Sequence, residues 1–239
     1  MAAYGAERRV RSPAPRAGWM TQTFVHWACP VEAVRALVPE PSAVEEYEGG
    51  AWAGFTPFVT TDVRPPGVPS ALPGLPGFAE TGPRTYVRHP SGRDGRWFFS
   101  LEVACPVMPG ARAVGAPYHP GALEVTRDGE ALRCSGRRRP GRAGYRLVVC
   151  PGAPIARPTE RDVWLTSRPR AYTLRPGLLW ETPVEHEPWP LAEATVGELG
   201  ETLTAEASLP APAGALVAHF SDGVGHVRMG VPVPCARTR

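Results

Sequence analysis

The 239 residues carry 43% apolar and 21% charged side chains, the balance of an ordinary globular chain and not of a disordered or fibrous one. The net charge of +3 argues against nucleic-acid binding, because the one basic cluster (Arg137, Arg138, Arg139, Arg142 and Arg146) sits among glycine and proline without stacking aromatics. No stretch approaches the roughly 20 apolar residues of a membrane span and no leader-like run opens the sequence, so it reads as soluble and cytoplasmic.

Residues 1–18 hold four arginines among Ala, Gly and Pro, which predicts a flexible tail, with a single domain over 19–239. Thr23–Trp27 is strand-like. Pro30 then opens a short helix over Val31–Val38, with Val31, Val34, Leu37 and Val38 on one face. Val44–Glu48 and Ala51–Val59 flank Gly49 and Gly50 and predict a hairpin. The Pro- and Gly-rich stretch from Val63 to Gly82 is too long for a simple connection and predicts a loop packed over a pocket.

Arg84–His89 and Arg96–Val103 read as strands, and period-two alternation places Arg84, Tyr86 and Arg88 on one face. Arg112–Val114 suits one helical turn, stopped by Pro117, so Tyr118 and His119 are presented in extended form. Ala122–Arg127 and Glu130–Cys134 around Asp128-Gly129 form the clearest hairpin, followed by a strand at Tyr145–Val149. Thr159 with Asp162 predicts a capped helix running to Leu165. Further strands are expected at Arg170–Leu174, Leu178–Val184, Ala215–Phe220 and His226–Val231, with a turn at Ser221–Gly223.

All 26 basic residues are arginines. Schiff-base chemistry needs an amine that can lose its proton, and arginine cannot supply one. Five cysteines at 29, 105, 134, 150 and 235 show no C-x-x-C spacing, and six histidines at 26, 89, 119, 186, 219 and 226 show no metal-binding spacing. There is no G-x-S-x-G elbow and no phosphate or dinucleotide loop. No metal and no cofactor are expected.

The fragments Phe24–Trp27, Ala51–Phe58, Val63–Gly67, Leu72–Leu75, Arg84–Val87, Trp97–Leu101, Thr159–Arg161, His186–Leu191 and His219–Ser221, in that order, resemble the YqjF-like DUF2071 family. That family is a distant relative of the acetoacetate decarboxylases, whose G-x-R-x-x-G-x-P segment is similar to Gly110–Pro117. The resemblance implies a β-rich α+β fold: an acetoacetate-decarboxylase-like antiparallel cone or barrel with a few short helices. In those decarboxylases the proline is followed by two lysines, the first forming a Schiff base. Here the positions hold Tyr118 and His119.

What the resemblance implies about the site follows from its motifs. Glu80 and Arg84 match a glutamate and an arginine that handle carboxylate and proton, although Thr81–Pro83 departs from the pattern. The candidate catalytic residues are therefore His119, Tyr118, Glu80 and Arg84. Tyr86, Glu160, His186, His26 and Trp97 are candidate substrate-binding residues, although His26, between apolar neighbours, better suits a core position with a satisfied hydrogen bond. The expected activity is cofactor-independent lyase, dehydratase, aldol-type or cyclase chemistry on a keto or enol acid or a polyketide-like metabolite. A non-catalytic binding protein is the other reading. The expected partner is a small molecule, with self-association left open.

Overall fold

The sequence RAGWMTQTFVHWAC forms a single strand, β1 (Arg16–Cys29), in which alternation sends Thr23, Val25 and Trp27 to one side and Gln22, Phe24 and His26 to the other. Both sides are buried, which is why the run lacks the polar face of a surface strand. The structure is a computed structural model describing residues 10–11, 14–108, 110, 116–175 and 177–235.

After β1 come α1 (Val31–Arg35), β2 (Ala43–Val44), β3 (Glu46–Tyr47), β4 (Gly50–Phe55) and β5 (Phe58–Arg64). The middle of the chain forms β6 (Phe78–Thr81), β7 (Pro83–Arg88), β8 (Asp94–Phe98) and β9 (Leu101–Val103). A meander follows: β10 (Tyr118–Asp128), β11 (Ala131–Arg138) and β12 (Gly144–Pro154). The last third contains α2 (Glu160–Thr166), β13 (Arg170–Arg175), β14 (Leu178–Glu185), β15 (Leu191–Glu201), α3 (Leu203–Glu206), β16 (Val217–Met229) and β17 (Val233–Pro234).

The pairings close two circuits that share β1 and β16. One runs β1–β5–β6–β9–β10–β11–β12–β15–β16, the other β1–β4–β7–β8–β13–β14–β16. The fold class is the one expected, a β-rich acetoacetate-decarboxylase-like sheet in a ring-like arrangement that is not a simple barrel, with three short helices among the described residues. Two pairings, β9 with β10 and β8 with β13, are parallel within the otherwise antiparallel set. The main apolar core lies between the circuits, where Val25, Trp27, Ala51, Ala53 and Phe55 pack on Tyr145, Leu147 and Val149. The opposite faces of β1 and β4 are thereby turned toward the second circuit's interior.

Four local expectations need correction. Order begins before Trp19: Val10 is buried with its N–H on Glu185, and β1 already starts at Arg16. The strand expected over Arg96–Val103 breaks at Phe99 and Ser100, because β8 pairs with β7 whereas β9 pairs with β6 and β10. The turn expected at Ser221–Gly223 is instead interior to β16, where Gly223 (φ 129) lets the strand approach Trp19; a Cβ there would meet the Trp19 carbonyl at 2.3 Å. The helix from Val31 closes at Arg35, with Leu37 and Val38 still packed on the core. The helical turn expected at Arg112–Val114 lies outside the described residues.

Candidate functional site

The polar interior is built on one row of side chains crossing β1, β4, β7 and β8, in which His26 pairs with Gly54, Gly54 with Arg84 and Arg84 with Phe98. The glycine makes this row possible. A Cβ at position 54 would lie 2.8 Å from His26 Cδ2 and 3.3 Å from Arg84 Nε, so only a bare backbone lets the two cationic-type side chains meet across it.

Helix α2 closes one end of the row. Its capping box, Thr159 with Asp162, fixes the helix start, and Asp162 Oδ1 also holds His219 Nε2 at 3.0 Å. At the other end the Leu165 carbonyl, which has no intrahelical partner, takes hydrogen bonds from Arg84 Nη2 (3.2 Å) and from the Tyr86 hydroxyl. Since Tyr86 spends its hydrogen on Leu165, its oxygen must accept from His26 Nε2 at 2.8 Å. Burial, and then Arg84 and His219, push the titration of His26 well below the ordinary histidine range and favour its neutral form. Its Nδ1 lone pair has no partner among the described residues.

Arg84 is 2% exposed, and its guanidinium lies 5.7 Å from the Phe24 ring and 5.8 Å from the Tyr86 ring. No carboxylate of the described residues comes within 4 Å of it, and its Nε has no hydrogen-bond partner among them. Glu80 is engaged elsewhere. Glu80 Oε1 accepts from Thr60 Oγ1 at 2.5 Å and Oε2 from the Tyr118 hydroxyl at 3.1 Å. Burial raises the Glu80 carboxyl to about 7, with the Thr60 and Tyr118 hydrogen bonds pulling the other way. Tyr118 is raised well above the ordinary phenol range by burial and by Glu80.

Rings connect the two ends. Phe58 lies opposite Glu80 in the β5–β6 pair and packs edge-on to Trp19 at 5.6 Å. Trp19 stacks on Trp189 at 6.3 Å and lies 5.9 Å from His186, which burial pushes down to about 4. The Arg96 guanidinium is 6.0 Å from the Trp19 ring and 5.9 Å from that of Phe98. Sequence reasoning missed Arg96, although an arginine sharing a strand face with Phe98 is a legible signal.

Several candidates fall elsewhere. His119 follows Tyr118 along β10, so alternation turns it to the opposite side, level with Glu102. Trp97 likewise faces away from Arg96, packing with Val87, Tyr172 and Leu179. Glu160 is exposed in the first turn of α2. The Pro- and Gly-rich loop sends Leu75 against the cluster of Phe78, Val103 and Cys105, on which Tyr118 also packs, beside the Glu80 end. An open groove of about 550 Å³ along Arg16, Asp62, Arg64 and Arg228 includes none of the interior acid and arginine residues. Among the described residues no three His, Cys, Asp or Glu side chains are placed to hold a metal ion, and no helix is long and apolar enough to cross a membrane.

A buried ionic network flanks the site. Arg168, with no side-chain exposure, pairs with Glu45 at 2.8 Å and with Asp94. Arg170 joins Asp94 (3.2 Å) to Glu181 (3.4 Å), and the outer Arg88 and Arg93 complete it on Glu45 and Glu181.

Two closed strand circuits around a buried acid and unpaired arginines define an acetoacetate-decarboxylase-like fold with a polar interior. Residues 16–225 match the family model of uncharacterized conserved proteins called DUF2071, and the chain belongs to that family. It is 30% identical over 213 residues, 86% of each chain, to the uncharacterized protein YqjF of Bacillus subtilis (strain 168). Among solved structures it is similar to the enduracididine biosynthesis enzyme MppR with HEPES bound (TM-score 0.69, 16% identity, 96% of this chain and 91% of that one). MppR has also been solved in complex with pyruvate (TM-score 0.66, 15% identity, 98% and 97% covered). Acetoacetate decarboxylase from Legionella pneumophila gives a TM-score of 0.66 at 12% identity, covering 99% of this chain and 92% of that one. At such identities the likeness is one of fold.

Proposed function

We propose that this protein is a cofactor-independent enzyme acting on a small keto or enol carboxylic acid, with Arg84 as the carboxylate anchor and Glu80 with Tyr118 as the acid–base pair. The observation that carries the reading is Arg84 itself. A guanidinium buried to 2% exposure without a carboxylate partner among the described residues costs several kcal/mol unless an anion arrives to meet it. With the substrate carboxylate held there, ionised Glu80 takes a proton from the carbon beside the carbonyl. The bonding electrons move to the carbonyl oxygen as an enolate, and the Tyr118 hydroxyl, released from Glu80 as that carboxylate takes the proton, turns to donate to the enolate oxygen. A carboxyl near 7 exists in both forms at neutral pH and can return the proton.

No lysine exists to form an imine, so the electron sink is hydrogen-bonding and electrostatic. Dehydration, aldol-type addition and cyclisation pass through this enolate, whereas decarboxylation of a β-keto acid would reach an enolate by losing CO2 in place of the proton, with Glu80 in its protonated form then supplying a proton to the carbon. The complexes of MppR with pyruvate and with a condensation product of pyruvate support a keto acid as the class to test first. The aromatic wall of Trp19, Phe24, Phe58 and Trp189 favours a second reading, a protein that binds such an acid without changing it.

Incubating the protein with pyruvate and other keto acids in deuterated buffer separates the readings. Exchange of hydrogens beside the carbonyl, lost in Glu80→Gln, is the expected result. Saturable binding with no exchange on any keto acid would make it a binding protein.

A further inference from the structure

Arg96 presents the same problem as Arg84. It is 4% exposed, its Nε has no partner among the described residues, and no carboxylate of those residues lies within 4 Å. Its neighbours are the Trp19 and Phe98 rings, Tyr86 across the β7–β8 pair, and His186, which is held neutral. Burial, and after it Arg84 and Arg168, disfavour its charge and bring it down to about 9. The nearby acids cannot serve it, because Glu45, Asp94 and Glu181 are shared among four other arginines.

Arg84 faces Phe98, and Arg96 lies two residues before Phe98 on the same strand. The two arginines are therefore diagonal neighbours on one face, roughly 7–8 Å apart at the backbone. Like charges so placed repel, and the chain keeps both buried.

We infer that the ligand of this site carries two carboxylates, one held by Arg84 and the other by Arg96, on a short frame whose flat side lies along Trp19. The dicarboxylic acid class rests on the carboxylate-anchor reading of Arg84 and extends it. A planar guanidinium takes a carboxylate through two parallel hydrogen bonds, and two such forks neutralise the interior with one molecule. A monocarboxylate would leave one buried charge unanswered.

Matched pairs of probes test this: succinate against butyrate, glutarate against pentanoate, and phthalate against benzoate, by calorimetry and thermal shift. At least one dicarboxylate should bind about tenfold tighter or better than its monocarboxylate partner. Arg96→Met, and Arg96→Gln as a second variant, should abolish that preference while leaving monocarboxylate binding intact. Without ligand, Arg96→Met should melt at or above the wild-type temperature, since it removes an uncompensated buried charge. Monocarboxylates binding as tightly as dicarboxylates, or an unchanged preference in a folded Arg96 variant, overturns the inference and leaves the role of Arg84 standing. Failure of every mono- and dicarboxylate to bind would remove both.

Discussion

Tyr118 donates its phenolic hydrogen to Glu80 across 3.1 Å. A hydrogen-bond donor that cannot form an imine stands beside a buried carboxyl. The pairing keeps proton chemistry within reach of a closed interior and gives up covalent chemistry at this position.

Glu80 makes stability depend on pH in an unusual direction. Its folded value of about 7 lies above the ordinary 4.5, so between those values the folded chain holds a proton that the unfolded chain has released. Its contribution is complete below 4.5 and lost as pH rises through about 7, a change of about 3 kcal/mol. Glu80→Gln should remove this dependence. Urea unfolding of both proteins at about pH 5 and about pH 8 reads it as a difference, which separates Glu80 from His26 and His186, whose lowered values act oppositely.

Tyr118→Phe should raise the Glu80 titration further, because the hydrogen bond it removes favours the ionised carboxylate. Carbon-13 NMR of labelled glutamate measures the shift directly. The accompanying loss of stability should be about 1 kcal/mol. A lower Glu80 value in the variant would mean that Tyr118 does not stabilise the anion.

Replacing Arg84 and Arg168 by Met should have opposite consequences. Arg168→Met strands Glu45 and Asp94 in the interior and should cost about 3–5 kcal/mol of stability. Arg84→Met strands no acid, so the fold should survive and the loss should appear as about 2–5 kcal/mol of carboxylate binding or turnover. Thermal melting and ligand titration of both variants check the contrast. Strong destabilisation by Arg84→Met with undiminished binding would reject it as an anchor.

Borohydride added in the presence of a β-keto acid should leave no reduced adduct on any internal residue, since the chain has no lysine. Intact-mass spectrometry followed by peptide mapping reads the outcome. A stable adduct away from the N-terminus would overturn acid–base catalysis.

Gly54→Ala should bring a methyl group into His26 and Arg84, at 2.8 and 3.3 Å. Overpacking of this kind costs about 1–3 kcal/mol. Nitrogen-15 NMR of the His26 ring should show its bond to Tyr86 disturbed; an unperturbed ring would mean that the row relaxes without effect.

What the sequence determined by itself was local or chemical. The Asp128-Gly129 hairpin follows from turn conformation, the start of α2 from the Thr159–Asp162 box, and the shared face of Arg84 and Tyr86 from strand alternation. The absence of lysine ruled out an internal imine without reference to any fold. Tertiary structure decided which strands become neighbours, and with that the partner of each buried charge. Pairing of β5 with β6 gives Glu80 to Thr60 and not to Arg84, alternation along β10 parts His119 from Tyr118, and the row from β1 to β8 joins His26 to Arg84. Arg96 belongs with these, because a charge is unpaired only relative to every acid that folding brings near it: Asp94, two residues before it on β8, is taken up by Arg168 and Arg170, which tertiary structure brings in from far along the chain.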